Sequence, residues 1–140
     1  MFRGLGRKRL RLMLTLLLAA LALTGCGGGA KDGARVLLDG ADWDGQPVSP
    51  EAGGLRVYIT LDGAALIDLP FSEPRTVAIL QPDGAENVVA FTGDAVYMES
   101  ANCENQDCVN MGRVTEDNLE MRVMGGFIIC LPHKVSVEVR

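Results

Sequence analysis

The feature that most narrows the fold is a two-residue hydrophobic alternation, cut at short intervals by turn-forming residues. Leu55, Val57, Ile59 and Leu61 are separated by Arg56, Tyr58, Thr60 and Asp62. Successive side chains of a strand point to opposite faces, so this stretch has one apolar face and one mixed face. Asp62-Gly63 follows, a pair suited to the positive φ values of a two-residue hairpin loop. Residues Ala65 to Leu69 are predicted to return as the partner strand, interrupted by Pro70 and Pro74. Thr76 to Leu80 is a further strand, ended by Pro82-Asp83-Gly84, where Pro fixes φ and Gly permits φ above zero. Asn87 to Phe91 and Ala95 to Met98 flank Thr92-Gly93-Asp94, and Phe127 to Leu131 and Val135 to Val139 flank Pro132-His133-Lys134. Cys108 to Asp117 has no clear period and suits a short helical turn. Short strands at a spacing of about 8–12 residues predict an all-β fold, a small barrel or sandwich of short antiparallel strands.

The N-terminus carries a different signal. Arg3, Arg7, Lys8, Arg9 and Arg11 precede Leu12 to Leu23, a run almost wholly of Leu, Ala and Met, and then Leu23-Thr24-Gly25-Cys26. A basic head, a short apolar run and a small-residue cleavage site are the parts of a secretory signal. The run is shorter than the roughly 20 residues of a membrane-spanning helix. Its Leu-x-Gly-Cys ending resembles a bacterial lipobox. That resemblance implies a lipoprotein signal peptide over residues 1–25, with Cys26 acylated and first in the mature chain. Two acyl chains of the palmitate type give stable anchoring where one gives only marginal binding. The expected location is the extracytoplasmic face of the cell membrane. Residues 26–54 are predicted to form a lipid-anchored tether, glycine-rich from Gly27 to Gly33, and residues 55–140 the folded domain. Within that tether Val36-Leu37-Leu38 is apolar. Trp43, the only tryptophan, is expected to tuck back onto the domain.

Charge excludes one class of partner. All 18 acidic residues follow Cys26, against 8 of the 13 basic ones, which leaves a mature chain near −10. Nucleic-acid affinity draws mostly on Lys and Arg neutralising phosphate, so DNA and RNA are not expected partners. Contact with the membrane is expected through the lipid anchor alone, since anionic headgroups repel such a domain.

Three thiols remain after Cys26: Cys103, Cys108 and Cys130, with His133, the only histidine, three residues beyond the last. One reading is a structural disulfide, which persists outside the cytoplasm. The polar loop Glu104-Asn105-Gln106-Asp107 can bring Cys103 and Cys108 into bonding range and leave Cys130 on an apolar strand as a small hydrophobe. Pairing of Cys130 with a loop cysteine belongs to the same reading. A second reading is a structural zinc site, because three sulfurs and one imidazole form a tetrahedral ligand set. The third is thiol redox chemistry, opposed by Glu104 and Asp107, since nearby acids raise a thiol pKa.

The same residues carry a family resemblance. Cys103-x4-Cys108-Val109-x-x-Gly112, followed by Cys130-Leu131-Pro132 and a closing strand, looks like the stand-alone NusG domain II family. The resemblance spans about residues 55–140 and draws its specificity from the last forty. Many members have Pro after the first cysteine, where this chain has Glu104, and the segment from Glu116 to Gly126 is longer than the family's usual turn. Membership implies a compact β-rich domain, commonly membrane-anchored and extracytoplasmic. It does not imply a role in transcription, since no NusG N-terminal domain accompanies it.

Catalytic templates fail. There is one histidine, no Gly-x-Ser-x-Gly elbow and no phosphate-binding Gly-x-x-x-x-Gly-Lys loop. Asp39-x-x-Asp42-x-Asp44 lacks the closing Glu of a calcium loop. The expectation is a non-catalytic binding or accessory domain with a protein partner and no cofactor. The alternative is a redox or zinc-binding lipoprotein built on Cys103, Cys108, Cys130 and His133.

Overall fold

In the computed structural model residues 33–45 and 53–140 are described. The signal peptide predicted over residues 1–25, Cys26 and the rest of the glycine-rich segment lie outside the described residues. Ten strands are seen among those described. They are β1 (Arg35–Leu38), β2 (Ala41–Asp42), β3 (Arg56–Leu61), β4 (Ala64–Pro70), β5 (Arg75–Leu80), β6 (Glu86–Phe91), β7 (Ala95–Ala101), β8 (Val114–Thr115), β9 (Phe127–Cys130) and β10 (Val135–Val139). One short helix, α1 (Asp107–Asn110), and a 3-10 turn (Glu116–Asn118) separate β7, β8 and β9.

The strands form two antiparallel sheets, one in the order β2-β1-β5-β6-β7-β8 and one in the order β4-β3-β10-β9. This is an all-β, sandwich-like fold and not a closed barrel. The alternation explains it. Val57 and Ile59 of β3, Val135 and Val137 of β10, Val77 and Ile79 of β5 and Val89 of β6 are fully buried and join one hydrophobic core. Burying side chains of that size contributes about 1.5–3 kcal/mol each relative to leaving them in water.

The turns follow their chemistry. Asp62 and Gly63 both take positive φ, 49° and 77°, as a two-residue hairpin loop requires. The Asp83 side chain accepts the backbone N–H of Ala85 at 3.0 Å in the β5–β6 turn. Pro70 does not interrupt β4 but closes it, opposite Arg56.

The boundary of the domain lies earlier than the sequence indicates. β1 pairs with β5 from Arg35 opposite Leu80 to Leu38 opposite Val77, and Ala34 and Val36 are buried. Residues 35–42, predicted as tether, are therefore the outer strands of the six-stranded sheet. Trp43 does fold back: its N–H donates to the Val36 carbonyl at 2.8 Å, and its half-buried side chain packs on the core. Among the described residues no helix is long and apolar enough to cross a membrane.

Candidate functional site: a buried three-thiol cluster

The chain brings Cys103, Cys108 and Cys130 together from three directions. Cys103 follows the end of β7, Cys108 sits in α1, and Cys130 ends β9 at the edge of the four-stranded sheet. α1 packs against both β7 and β9 and so joins the margins of the two sheets. All three thiols are buried, and their sulfurs lie within 4.8 Å of one another. They are free thiols, with Cys103 Sγ and Cys108 Sγ 3.7 Å apart. The expected disulfide pair thus stands as two neighbouring thiols, further apart than the roughly 2.05 Å of an S–S bond.

The loop that carries them holds its own shape. Gln106 adopts a left-handed conformation, φ 54°, at the start of α1. Its side-chain amide donates to the Ala101 and Cys103 carbonyls at 2.6 and 2.5 Å and approaches Cys103 Sγ at 3.8 Å. Asn105 donates to Asp107 at 2.7 Å. Gly112, φ 72°, ends the helical turn, where glycine alone takes a left-handed backbone at no steric cost. From the sequence this connector is a polar loop able to bring the two cysteines together, with no sign of the Gln106 bonds that shape it. Arg122 was not anticipated either. Its guanidinium donates to the carbonyls of Met111, Arg113 and Gly125 at 3.1, 2.9 and 3.0 Å, fastening the long segment before β9 to the end of α1. A lone arginine in a polar loop gives no sequence signal of this.

His133 does not join the cluster. It lies in the β9–β10 turn, and its Nδ1 is 2.8 Å from Oδ1 of Asn87, a fully buried β6 residue. Asn87 in turn directs Nδ2 at Met98 Sδ, 3.5 Å away. The expected fourth zinc ligand is therefore corrected: the imidazole ties the β9–β10 turn to the opposite sheet. The physical reason is the turn itself, because Cys130 pairs with Val135 and the intervening residues carry His133 away from the thiols.

A cavity of about 300 Å³ opens beside the cluster, lined by Cys108, Cys130, Met111, Met124, Ile129 and Leu131, among others. Met111 Sδ accepts the Ile129 N–H at 3.3 Å. Of its lining side chains, Met124 and Leu131 are exposed, and with Met121, Val123 and Phe127 they are the large hydrophobic side chains exposed to solvent among the described residues. Burial, and then the neighbouring thiols of Cys130 and Cys103, push the Cys108 thiol up to about 12. The flanking acids invoked from sequence are not the cause, and the protonated thiol is a poor nucleophile at neutral pH.

A two-sheet β domain closed at one margin by a cysteine-bearing helical turn is the class this architecture defines. A family model for NusG domain II matches residues 13–140, and the chain belongs to that family. A DUF1312 family protein from Enterococcus faecalis is similar, with 20% identity and a TM-score of 0.54 over 62% of this chain and 97% of the other. A protein from Listeria innocua is similar at 24% identity and a TM-score of 0.53, over 61% and 94% of the two chains. At these identities the likeness is one of fold. A comparison with curated proteins finds no match.

Proposed function

We propose that this chain is a lipid-anchored extracytoplasmic lipoprotein whose domain is a non-catalytic binding or accessory module. The observation that carries the reading is the order basic head, apolar run, Leu23-Thr24-Gly25-Cys26. The large exposed apolar side chains among the described residues all fall between Met121 and Leu131, which supports a protein partner, because such concentrations mark interaction sites. With a mature charge near −10, that partner presents an apolar face flanked by basic groups. Labelling cells with a fatty-acid analogue tests the anchor. Wild type takes up label and Cys26→Ala does not, accumulating as uncleaved precursor. Equal labelling of the two overturns the proposal.

A further inference from the structure

We infer that the three-thiol cluster is a binding site for a soft monovalent d¹⁰ cation, Cu(I), reached through the methionine-lined cavity beside it. The sulfurs set the geometry. A metal–sulfur bond of about 2.3 Å separates ligand sulfurs by roughly 3.8 Å in a tetrahedral site and roughly 4.0 Å in a trigonal one. Cys103 Sγ and Cys108 Sγ stand 3.7 Å apart, and all three sulfurs fall within 4.8 Å. Closing on a trigonal ion therefore leaves the Cys103–Cys108 separation almost unchanged and brings the other sulfurs closer by at most about 0.8 Å, whereas a Cys103–Cys108 bond needs those two sulfurs to move about 1.7 Å closer.

The ligand type selects the ion. Zinc favours a fourth protein ligand in structural sites, and the one histidine is turned to Asn87. The cavity adds no imidazole; it brings Met111 and Met124 to the side of Cys108 and Cys130. Soft thiolate and thioether donors select Cu(I), zinc and iron–sulfur clusters over harder ions, and the lack of a fourth protein ligand at the thiols among the described residues is what turns the choice from zinc to Cu(I). Burial of all three sulfurs limits water around the ion, and the Gln106 amide, which holds the Ala101 and Cys103 carbonyls, lies 3.8 Å from Cys103 Sγ and fixes the loop that carries it. Binding breaks three S–H bonds and forms three Cu–S bonds. The three protons leave to solvent, and no electron is transferred. This assignment goes beyond the binding-module reading and stands or falls without it.

The test uses the full chain in detergent micelles with Cys26→Ser, which removes the only other thiol. The reduced protein is titrated anaerobically with Cu(I) against a chromophoric Cu(I) chelator, and in parallel with Zn²⁺. The expected result is one Cu(I) per chain, retained against excess Zn²⁺. X-ray absorption of the complex should show a sulfur-only shell near 2.3 Å, a readout that depends on no variant. Cys130→Ser should weaken binding at least about 100-fold, with far-UV circular dichroism confirming that the variant folds. His133→Ala should leave affinity unchanged. No retained Cu(I), preference for Zn²⁺, nitrogen in the shell, or loss of binding in the His133 variant would each overturn the assignment.

Discussion

The contact between Asn87 and His133 is the sharpest place to test how the two sheets are held together. Asn87 belongs to the six-stranded sheet and is fully buried, whereas His133 sits in the turn joining two strands of the other sheet. With Asn87 Oδ1 accepting, His133 Nδ1 carries the hydrogen, and the 2.8 Å bond crosses between the sheets. Asn87→Ala removes that acceptor, worth about 0.5–1.5 kcal/mol net, and leaves a void where the amide was, for roughly 1–2 kcal/mol more. The expected loss is therefore about 2–3 kcal/mol, or a fall in Tm of roughly 10–20 °C for a domain of this size. His133→Ala costs less, because the ring is only half-buried and the Gln81 side chain still bonds the residue 133 carbonyl at 2.9 Å. The assay is urea unfolding followed by emission of Trp43, the only tryptophan, on the chain from residue 27. The four corners of a double-mutant cycle isolate the pair. A coupling near 1 kcal/mol is expected. A coupling below about 0.3 kcal/mol would refute the claim that this bond joins the sheets, since additive sites agree within roughly that amount.

Two further outcomes follow from close packing. A Cβ on Gly126 would overlap the Val139 carbonyl oxygen, a backbone atom that cannot swing away. Gly126→Ala should thus cost at least about 2 kcal/mol by denaturant unfolding, and a loss under about 0.5 kcal/mol would contradict the packing seen between this residue and β10. The reduced thiols should resist iodoacetamide in the native chain at pH 8 and react when it is unfolded. With Cys108 held at about 12, its labelling rate should climb roughly tenfold per pH unit between about 8 and 10, where an ordinary thiol levels off near 9; a plateau by pH 9 would place that thiol in water.

Much of the fold is legible because β3, β5 and β10 each bury alternate residues between the sheets and adjoin residues with recognisable turn chemistry, Asp62-Gly63, Pro82-Asp83-Gly84 and Pro132-His133-Lys134. β1 is not, since its four residues are followed by a Gly- and Asp-rich stretch and its partner β5 lies some forty positions away. Its hairpin partner β2 is only two residues long, so no alternation marks the pair, although Asp39-Gly40 carries the same turn chemistry as Asp62-Gly63. The candidate site divides the same way. Cys103, Cys108 and Cys130 are conspicuous by residue type, and they do converge. Sequence proximity assigned His133 to them, but position in a turn decides direction, and this turn faces Asn87. Met111 and Met124 reach the cavity through the path of the segment Arg122 fastens, which no spacing rule reveals.

The early start of the folded domain has a consequence for how it would search for partners. Gly33 and Ala34 lie at the end of the sandwich that carries Pro82, Lys134 and Pro132, and Pro132 also borders the cavity beside the thiols. With the proposed anchor at Cys26, the chain would have only seven residues between it and Ala34, a leash of at most about 25 Å when fully extended. The cavity would then be confined to a shallow layer above the bilayer. Encounters become a two-dimensional problem, in which a partner sharing the membrane is met at high effective concentration while a large diffusing carrier must work into a narrow gap.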